Sequence, residues 1–413
     1  MNYLSTLPDK TALLDWQKER GNNDIAKVNA HIHTPYSFSA FKNIPQIFEM
    51  ARQEEIKVLG INDFYTTDGY AEFIEQAHKN KVFPLFNIEF IALDLDDQKK
   101  GRKVNDPGNP GRTYLSGKGL LYPPKLDEPF VTQLNTVQAE TLKQVEAMVE
   151  KVQHILINMG SDIKITMAEI FEKYAVDQVR ERHIAKIIRV KVFEKYTSSS
   201  DRKAFLEKLY GGKASTADLS DNSLVENEIR GMLLKAGGSA FVEEDPKAFL
   251  SVPQVKAIIL NAGGIPTYPL LADNAKGEYT DFENDKEKLL QELKVRGINS
   301  IEFIPNRNDL KRLKEYARFF WDNQILVTFG TEHNTPEMIP LTIETRGHVD
   351  LDHDLKELSY QGACVVAAHQ YLMAKGQTGF VKSNGHRNGD RLQPFVKLGH
   401  AVVSRYLTFL NKH

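Results

Sequence analysis

The stretch VNAHIHTPYSFSAF, Val28–Phe41, opens with a short apolar run that delivers His31 and His33 at its end and breaks at once into a Thr-Pro-Tyr-Ser turn. Alternate residues of a strand project to one face, so His31-x-His33 aims two imidazoles at one point in space. Two neutral imidazoles side by side are a common start to a transition-metal site. Taken alone the pair also fits two ordinary loop histidines, so its meaning depends on what the rest of the chain brings to it.

Downstream of this strand the pattern alternates. Ile44–Glu55 predicts a helix with Ile44, Ile47, Phe48 and Ala51 on one stripe, and KVLGIN (Lys57–Asn62) a strand ending at Asp63. Gly69–Asn80 predicts a second helix, and VFPLFNIEFIAL (Val82–Leu93) a third strand that carries Glu89. The alternation then stops. Asp94–Pro129, rich in Gly, Pro, Lys and Arg, reads as a long loop, and several helices follow. The longest of them, Gln133–Met159, has apolar residues at three- and four-residue steps from Leu142 to Met159. Alternation resumes with helix Val252–Ala262, strand Ile265–Leu270, helix Asp285–Arg296, strand Ser300–Ile304, helix Leu310–Trp321 and strand Ile325–Phe329, which runs into Gly330-Thr-Glu332-His333-Asn334. Strands joined through helices of this length imply parallel pairing with right-handed crossovers, and a barrel gathers the ends of all such strands on one rim.

The bulk numbers exclude several classes. The 413 residues are 41% apolar and 26% charged, enough for a sizeable core, and the net charge of −2 gives no basic field for nucleic acid or an anionic membrane. The single cysteine, Cys364 in GACVVAA, rules out an internal disulfide framework and reads as a buried, inert thiol. No basic-then-apolar leader opens the sequence and no run has the length of a membrane span, so the expected location is cytoplasmic.

Strand ends therefore bring His31, His33, Asp63, Glu89, Glu332 and His333 toward one rim. In order along the chain, HIHT, INDFYTTDG, NIEF, AGGIPTYPL and GTEHN resemble the successive motifs of the polymerase and histidinol phosphatase (PHP) superfamily, HxHT-x-x-S-DG, TDH, GIE, GGI-x-x-AHP and GSDxH. The resemblance spans most of Lys27–Glu337 and implies a distorted (β/α)7 TIM-like barrel with a metal cluster at its carboxyl end. It assigns residues 1–93 and 251–345 to the barrel, 94–250 to a loop and helical insertion after the third strand, and 346–413 to a C-terminal helical extension. Within the insertion, Arg182-His183-Ile184-Ala185 matches the family's HIA element, in a segment that often roofs the site.

The family's first metal position maps onto His31, His33, Glu89 and Glu332. Its other positions rely on histidines where this chain has Phe64, Tyr268 and Asn334, and Phe38-Ser39-Ala40 replaces the usual acidic stretch. His333 sits one residue early and substitutes for a lost histidine only if the loop shifts. These departures point to one divalent ion (Zn²⁺, Mn²⁺ or Fe²⁺) rather than two or three. One ion still lowers the pKa of a bound water to roughly 7 and polarises a substrate oxygen.

The resemblance implies a metal-dependent phosphoesterase on a small phosphorylated metabolite, with metal-bound water as nucleophile and Asp63 orienting or deprotonating it. Tyr268 is expected either to donate a proton or hydrogen bond or to be a barrel-lining aromatic, and His183 is a further catalytic candidate. For phosphate recognition the candidates are Arg112 and Arg182, with Arg102, Lys118 and Arg180 as surface cations nearby. Competing expectations are a PHP-like scaffold that binds a ligand or partner without catalysis, and a metal enzyme acting on a non-phosphorylated sugar or carboxylate. Neither a nucleic-acid nor a membrane partner is expected.

Overall fold

The computed structural model describes residues 3–21 and 24–410. Seven strands form one sheet in chain order: β1 (Lys27–Ile32), β2 (Ile56–Phe64), β3 (Phe83–Leu93), β4 (Arg112–Lys118), β5 (Ile265–Leu270), β6 (Ser300–Phe303) and β7 (Leu326–Phe329). β1, β2 and β3 are parallel, as are β5, β6 and β7, whereas β4 is antiparallel to both neighbours. β2 and β3 are buried along almost their whole length, which is why they read as continuous apolar runs and not as alternating ones.

The sheet curls until the turn after β7 meets β1. Glu332 N–H donates to His31 O at 3.0 Å, and His33 N–H donates to Glu332 O at 2.6 Å. That approach needs Gly330, because a Cβ there would lie 2.2 Å from the Cβ of His31. The result is an α/β TIM-like barrel, as the motif order and the helix–strand alternation predict.

The helices are α1 (Lys10–Arg20), α2 (Ile44–Gln53), α3 (Tyr70–Asn80), α4 (Leu95–Lys99), α5 (Phe130–Asn158), α6 (Met167–Lys173), α7 (Glu181–Lys195), α8 (Ser199–Leu209), α9 (Asn222–Ile229), α10 (Val252–Asn261), α11 (Lys286–Val295), α12 (Leu310–Asp322), α13 (His353–Ala374) and α14 (Gln393–Leu410). Side chains cap many of them. Asn43 accepts from Gln46 N–H ahead of α2, Thr166 from Glu169 N–H ahead of α6, and Asp285 from Lys288 N–H ahead of α11. α2, α3, α10, α11 and α12 flank the barrel with apolar stripes turned inward, including the predicted Ile44, Ile47, Phe48 and Ala51.

One expectation needs correction. Arg112–Lys118 lies inside the stretch 94–129 read from the sequence as loop, but it is β4, the barrel's reversed strand. Its side chains Thr113, Leu115, Ser116 and Lys118 are buried, and the Gly/Pro-rich segment before it masked so short a run. Lys118, expected at the surface, is one of the most buried large side chains.

The insertion has a hydrophobic core of its own, with Val145, Val152, Ile170, Ile187, Leu206 and Ile229 among its members. α5 joins the two cores: Val137 belongs to the barrel's, while Val145, Met148, Val149, Val152 and Leu156 belong to the insertion's. α13 packs under the strand starts, where Gln370 bonds to Phe86 N–H and to Pro84 O at 2.9 and 3.3 Å. α14 lies tightly on α13, so that a Cβ at Gly399 would fall 1.7 Å from Cys364 O. Cys364 is fully buried and its thiol is pushed up to about 12 by that burial, in keeping with an inert side chain. Among the described residues no helix is long and apolar enough to cross a membrane.

Candidate metal centre

β1 ends by placing His31 and His33 on the barrel axis, and β3 brings Glu89 beside them. His31 Nε2 and His33 Nε2 are 3.2 Å apart, and Glu89 Oε2 lies 3.0 Å from His33 Nε2 and 3.8 Å from His31 Nε2. All three side chains are buried, and Glu89 Oε2 accepts no hydrogen bond.

The outer nitrogens explain how the rings are held. His31 Nδ1 is 2.7 Å from Glu302 Oε2 on β6, and Glu302 Oε1 is 2.5 Å from Lys118 Nζ on β4. A carboxylate can only accept, so His31 carries its proton on Nδ1 and turns the Nε2 lone pair inward. His33 Nδ1 faces Ser37 Oγ at 3.2 Å, and that hydroxyl donates to Asp63 Oδ1 at 2.6 Å, which gives His33 the same tautomer. Asn62 Nδ2 lies within 3.2 Å of both nitrogens of His31, a position over the ring rather than in the plane of its Nε2 lone pair.

Two imidazole lone pairs and a carboxylate oxygen thus converge among buried side chains. Such an arrangement is unfavourable on its own and fits a divalent cation of the Zn²⁺, Mn²⁺ or Fe²⁺ kind.

Charge at the site follows from burial. Burial lowers His33 to about 4, against the opposing pull of Asp63 and Glu332. It raises Glu89 to about 8, with His31 pulling the other way. Burial would raise Glu302 as well, but His31 and Lys118 override it and hold the carboxyl at about 2.

The other predicted residues fall into distinct places. Glu332 is adjacent through the backbone and exerts charge on both histidines, but its carboxylate is bonded to Arg307 and lies outside the three-residue cluster. Glu332 and His333 have φ of 62° and 57°, two consecutive left-handed non-glycine residues, each costing about 1–3 kcal/mol. The structure does not bring His333 into the cluster: its ring nitrogens bond to Thr331 Oγ1 at 2.8 Å and Ile339 O at 2.9 Å, and it stacks on Phe41.

Asp63 accepts from Thr34 N–H at 2.7 Å, Thr34 Oγ1 at 2.5 Å and Ser37 Oγ at 2.6 Å. Its oxygens pin the turn that aims His33. Tyr268 is buried with its hydroxyl on Glu283 Oε1 at 2.7 Å and lines neither cavity described below. His183 accepts Arg180 N–H on Nδ1 at 3.0 Å and sets its edge against Phe38, so it braces the start of α7.

Two adjoining cavities open above the cluster. The lower, about 190 Å³, is lined by Glu89, Tyr114, Arg307, Glu332 and Asn334 among others. The upper, about 290 Å³, lies between the barrel mouth and the insertion and shares Asp106, Tyr114, Arg307 and Asn334 with the lower. Arg112 and Arg182, predicted to bind substrate, both line the upper one, where Arg112 is paired to Glu244 at 2.8 Å. Burial, together with Asp106 and Glu89, pushes the Tyr114 phenol above its ordinary value and keeps its proton in place.

Glu302, Lys118, Tyr114 and Arg307 were not singled out as site residues in the sequence reading. The pattern IEFIPN around Glu302 gives a strand but not which face turns inward, and Lys118 and Tyr114 lie on the unrecognised β4.

No family model matches the chain, and no curated protein matches it. Among solved structures it is similar to "a putative metal-dependent phosphoesterase" from Bifidobacterium adolescentis, with 16% identity, a TM-score of 0.52, and coverage of 82% of this chain and 96% of the other. The likeness is one of fold. An amidohydrolase from Chromobacterium violaceum superposes at a TM-score of 0.49 with 14% identity, covering 81% of this chain and 97% of that one.

Proposed function

We propose that the chain is a PHP-like metal-dependent hydrolase that cleaves phosphate esters of a small molecule. The observation that carries this reading is the buried, mutually facing set His31 Nε2, His33 Nε2 and Glu89 Oε2, with the outer imidazole nitrogens fixed by Glu302 and Ser37–Asp63. These three residues hold one divalent ion, and Glu332 stands next to them as the fourth ligand expected from the motif order. When bound, such an ion supplies Lewis acidity and a nucleophile at neutral pH.

The protein's own groups do the rest. The lower cavity positions the phosphoryl group against Arg307, whose guanidinium suits two phosphate oxygens, and Asn334 donates beside it. Tyr114, protonated and at the junction of the cavities, holds a proton at its phenol oxygen within reach of a leaving group, the part the sequence offered to Tyr268. Asp63 acts by positioning His33.

Elemental analysis of the purified protein, paired with turnover of 4-nitrophenyl phosphate, tests the reading. Expected are about one equivalent of a transition metal and activity lost with chelator and in a His31→Ala, His33→Ala variant. Turnover that ignores both chelator and that variant overturns it. A binding scaffold without catalysis is the second reading, favoured by Phe64: its ring packs at 4.8 Å on His33 where the motif expects another ligand. Metal uptake with no turnover of any phosphate ester decides for that one.

A further inference from the structure

We propose that the upper cavity is a second anion subsite, in which Arg180 and Arg182 take an anionic group of the substrate separate from the one held at the metal end. The inference rests on the preceding reading for what occupies the lower cavity, and it narrows the substrate to a molecule with two anionic groups joined by a short spacer.

The upper cavity is lined by Arg112, Arg180, Arg182, Arg230, Lys235 and Arg307 against only three acids, Asp106, Glu181 and Glu244. Four of the six cations are answered within the protein. Arg112 pairs with Glu244, and Arg230 and Lys235 share the single carboxylate of Glu181 at 2.7 and 3.4 Å. Arg307 is answered by Glu332 of the lower cavity.

Arg180 and Arg182 have no carboxylate within ion-pair distance among the described residues. Arg180 Nη1 is buried without a hydrogen-bond partner. Arg182 Nη1 has a neutral partner, Asn227 Oδ1 at 3.2 Å. Arg182 is half-buried, and burial with the neighbouring Arg230 lowers it to about 10. A buried guanidinium nitrogen without a partner, as at Arg180, is costly, and a bidentate anion is the group its geometry answers.

The position of Arg180 sets the spacing. Its guanidinium lies 4.6 Å from the centroid of Phe64, and that ring also packs on His33 at 4.8 Å. One aromatic ring therefore separates this cation from a ligand of the metal centre. Arg182 lies 5.6 Å from the centroid of Phe38. With Tyr114 and Arg307 common to both cavities, a single ligand can reach from one into the other.

The test uses the full chain loaded with Mn²⁺ or Zn²⁺ and two probe series. In turnover, butyl phosphate is compared with the α,ω-bisphosphates of propanediol, butanediol and hexanediol. The best bisphosphate is expected to exceed butyl phosphate in kcat/KM by about tenfold or more, beyond the factor of two for its two ends. In Arg180→Gln, Arg182→Gln the ratio is expected to fall to near that factor, and in Arg180→Lys, Arg182→Lys to stay well above it. In equilibrium titration, alkane bisphosphonates are compared with butylphosphonate, and the same preference and the same loss in the Gln variant are expected. The titration needs no turnover, so an absence of phosphatase activity leaves it standing and counts only against the preceding reading. Equal binding of mono- and bisphosphonates, or a preference retained in the Gln variant, overturns the subsite.

Discussion

Position 302 fixes the tautomer of His31, because its carboxylate accepts the Nδ1 proton and leaves the Nε2 lone pair facing Glu89 and His33. Removing that charge while keeping the shape, as in Glu302→Gln, is expected to weaken divalent-metal affinity by about 10- to 100-fold in a competition titration. Lys118→Met is expected to act differently. It strands a buried carboxylate and should cost about 3–5 kcal/mol in urea unfolding, since both partners of the pair are fully buried. Of these residues the sequence showed only the inner part. The spacing His31-x-His33 was legible because strand periodicity alone puts both rings on one face. Glu89 and Glu332 were legible as strand-end carboxylates, and motif order then matched them to a metal position. Glu302 was not, since its inward direction depends on how the sheet closes, a property of the whole barrel.

At the scale of elements, the reversed strand β4 was the main thing missed. A buried seven-residue run set between Gly/Pro-rich segments is separated from the helices before and after it, so nothing adjacent announces a barrel strand. The parallel strands were read to within a few residues, because each, even the four-residue β6 and β7, alternates with an amphipathic helix. The junction between β7 and β1 depends on Gly330 more than on any side chain. Gly330→Ala forces a methyl group into contact with His31. We expect it to lower the melting temperature and to abolish metal binding together, whereas His31→Ala should abolish metal binding with a smaller loss of stability.

For the whole molecule, two histidines buried in neutral form contribute to the pH dependence away from the metal centre, against the opposite trend of the buried Glu283 carboxyl, which burial raises to about 8. His369 accepts Phe380 N–H on Nδ1 at 2.9 Å and faces Gly263 O with Nε2 at 2.7 Å, a bonding pattern only the neutral ring can satisfy. Burial lowers it to about 4, and His183 to about 3. In the unfolded chain both titrate near 6.5, so below that pH the unfolded state binds more protons and stability falls as pH drops from about 6.5 toward those values. Each group contributes up to about 1.4 kcal/mol per pH unit in that window and nothing above it. Urea midpoints at pH 7, 6 and 5 check this, and His369→Gln should flatten the slope.

The way α5 is seated carries a mechanical consequence. Its first turns are embedded in the wall of the barrel and its later turns form the keel of the insertion, with Gln138 bonded to Tyr65 O at 2.9 Å on the barrel side. A 29-residue helix reaches about 44 Å at about 1.5 Å per residue, long enough to join the two cores as one strut. Arg180, Arg182 and Arg230 belong to the insertion that this strut carries over the barrel mouth. The far side is tied down as well: Gln178 donates to Tyr36 O at 3.3 Å and to Phe64 O at 2.7 Å, and Ser223 Oγ to Pro336 O at 3.1 Å, so widening the mouth means breaking these bonds as well as bending the helix.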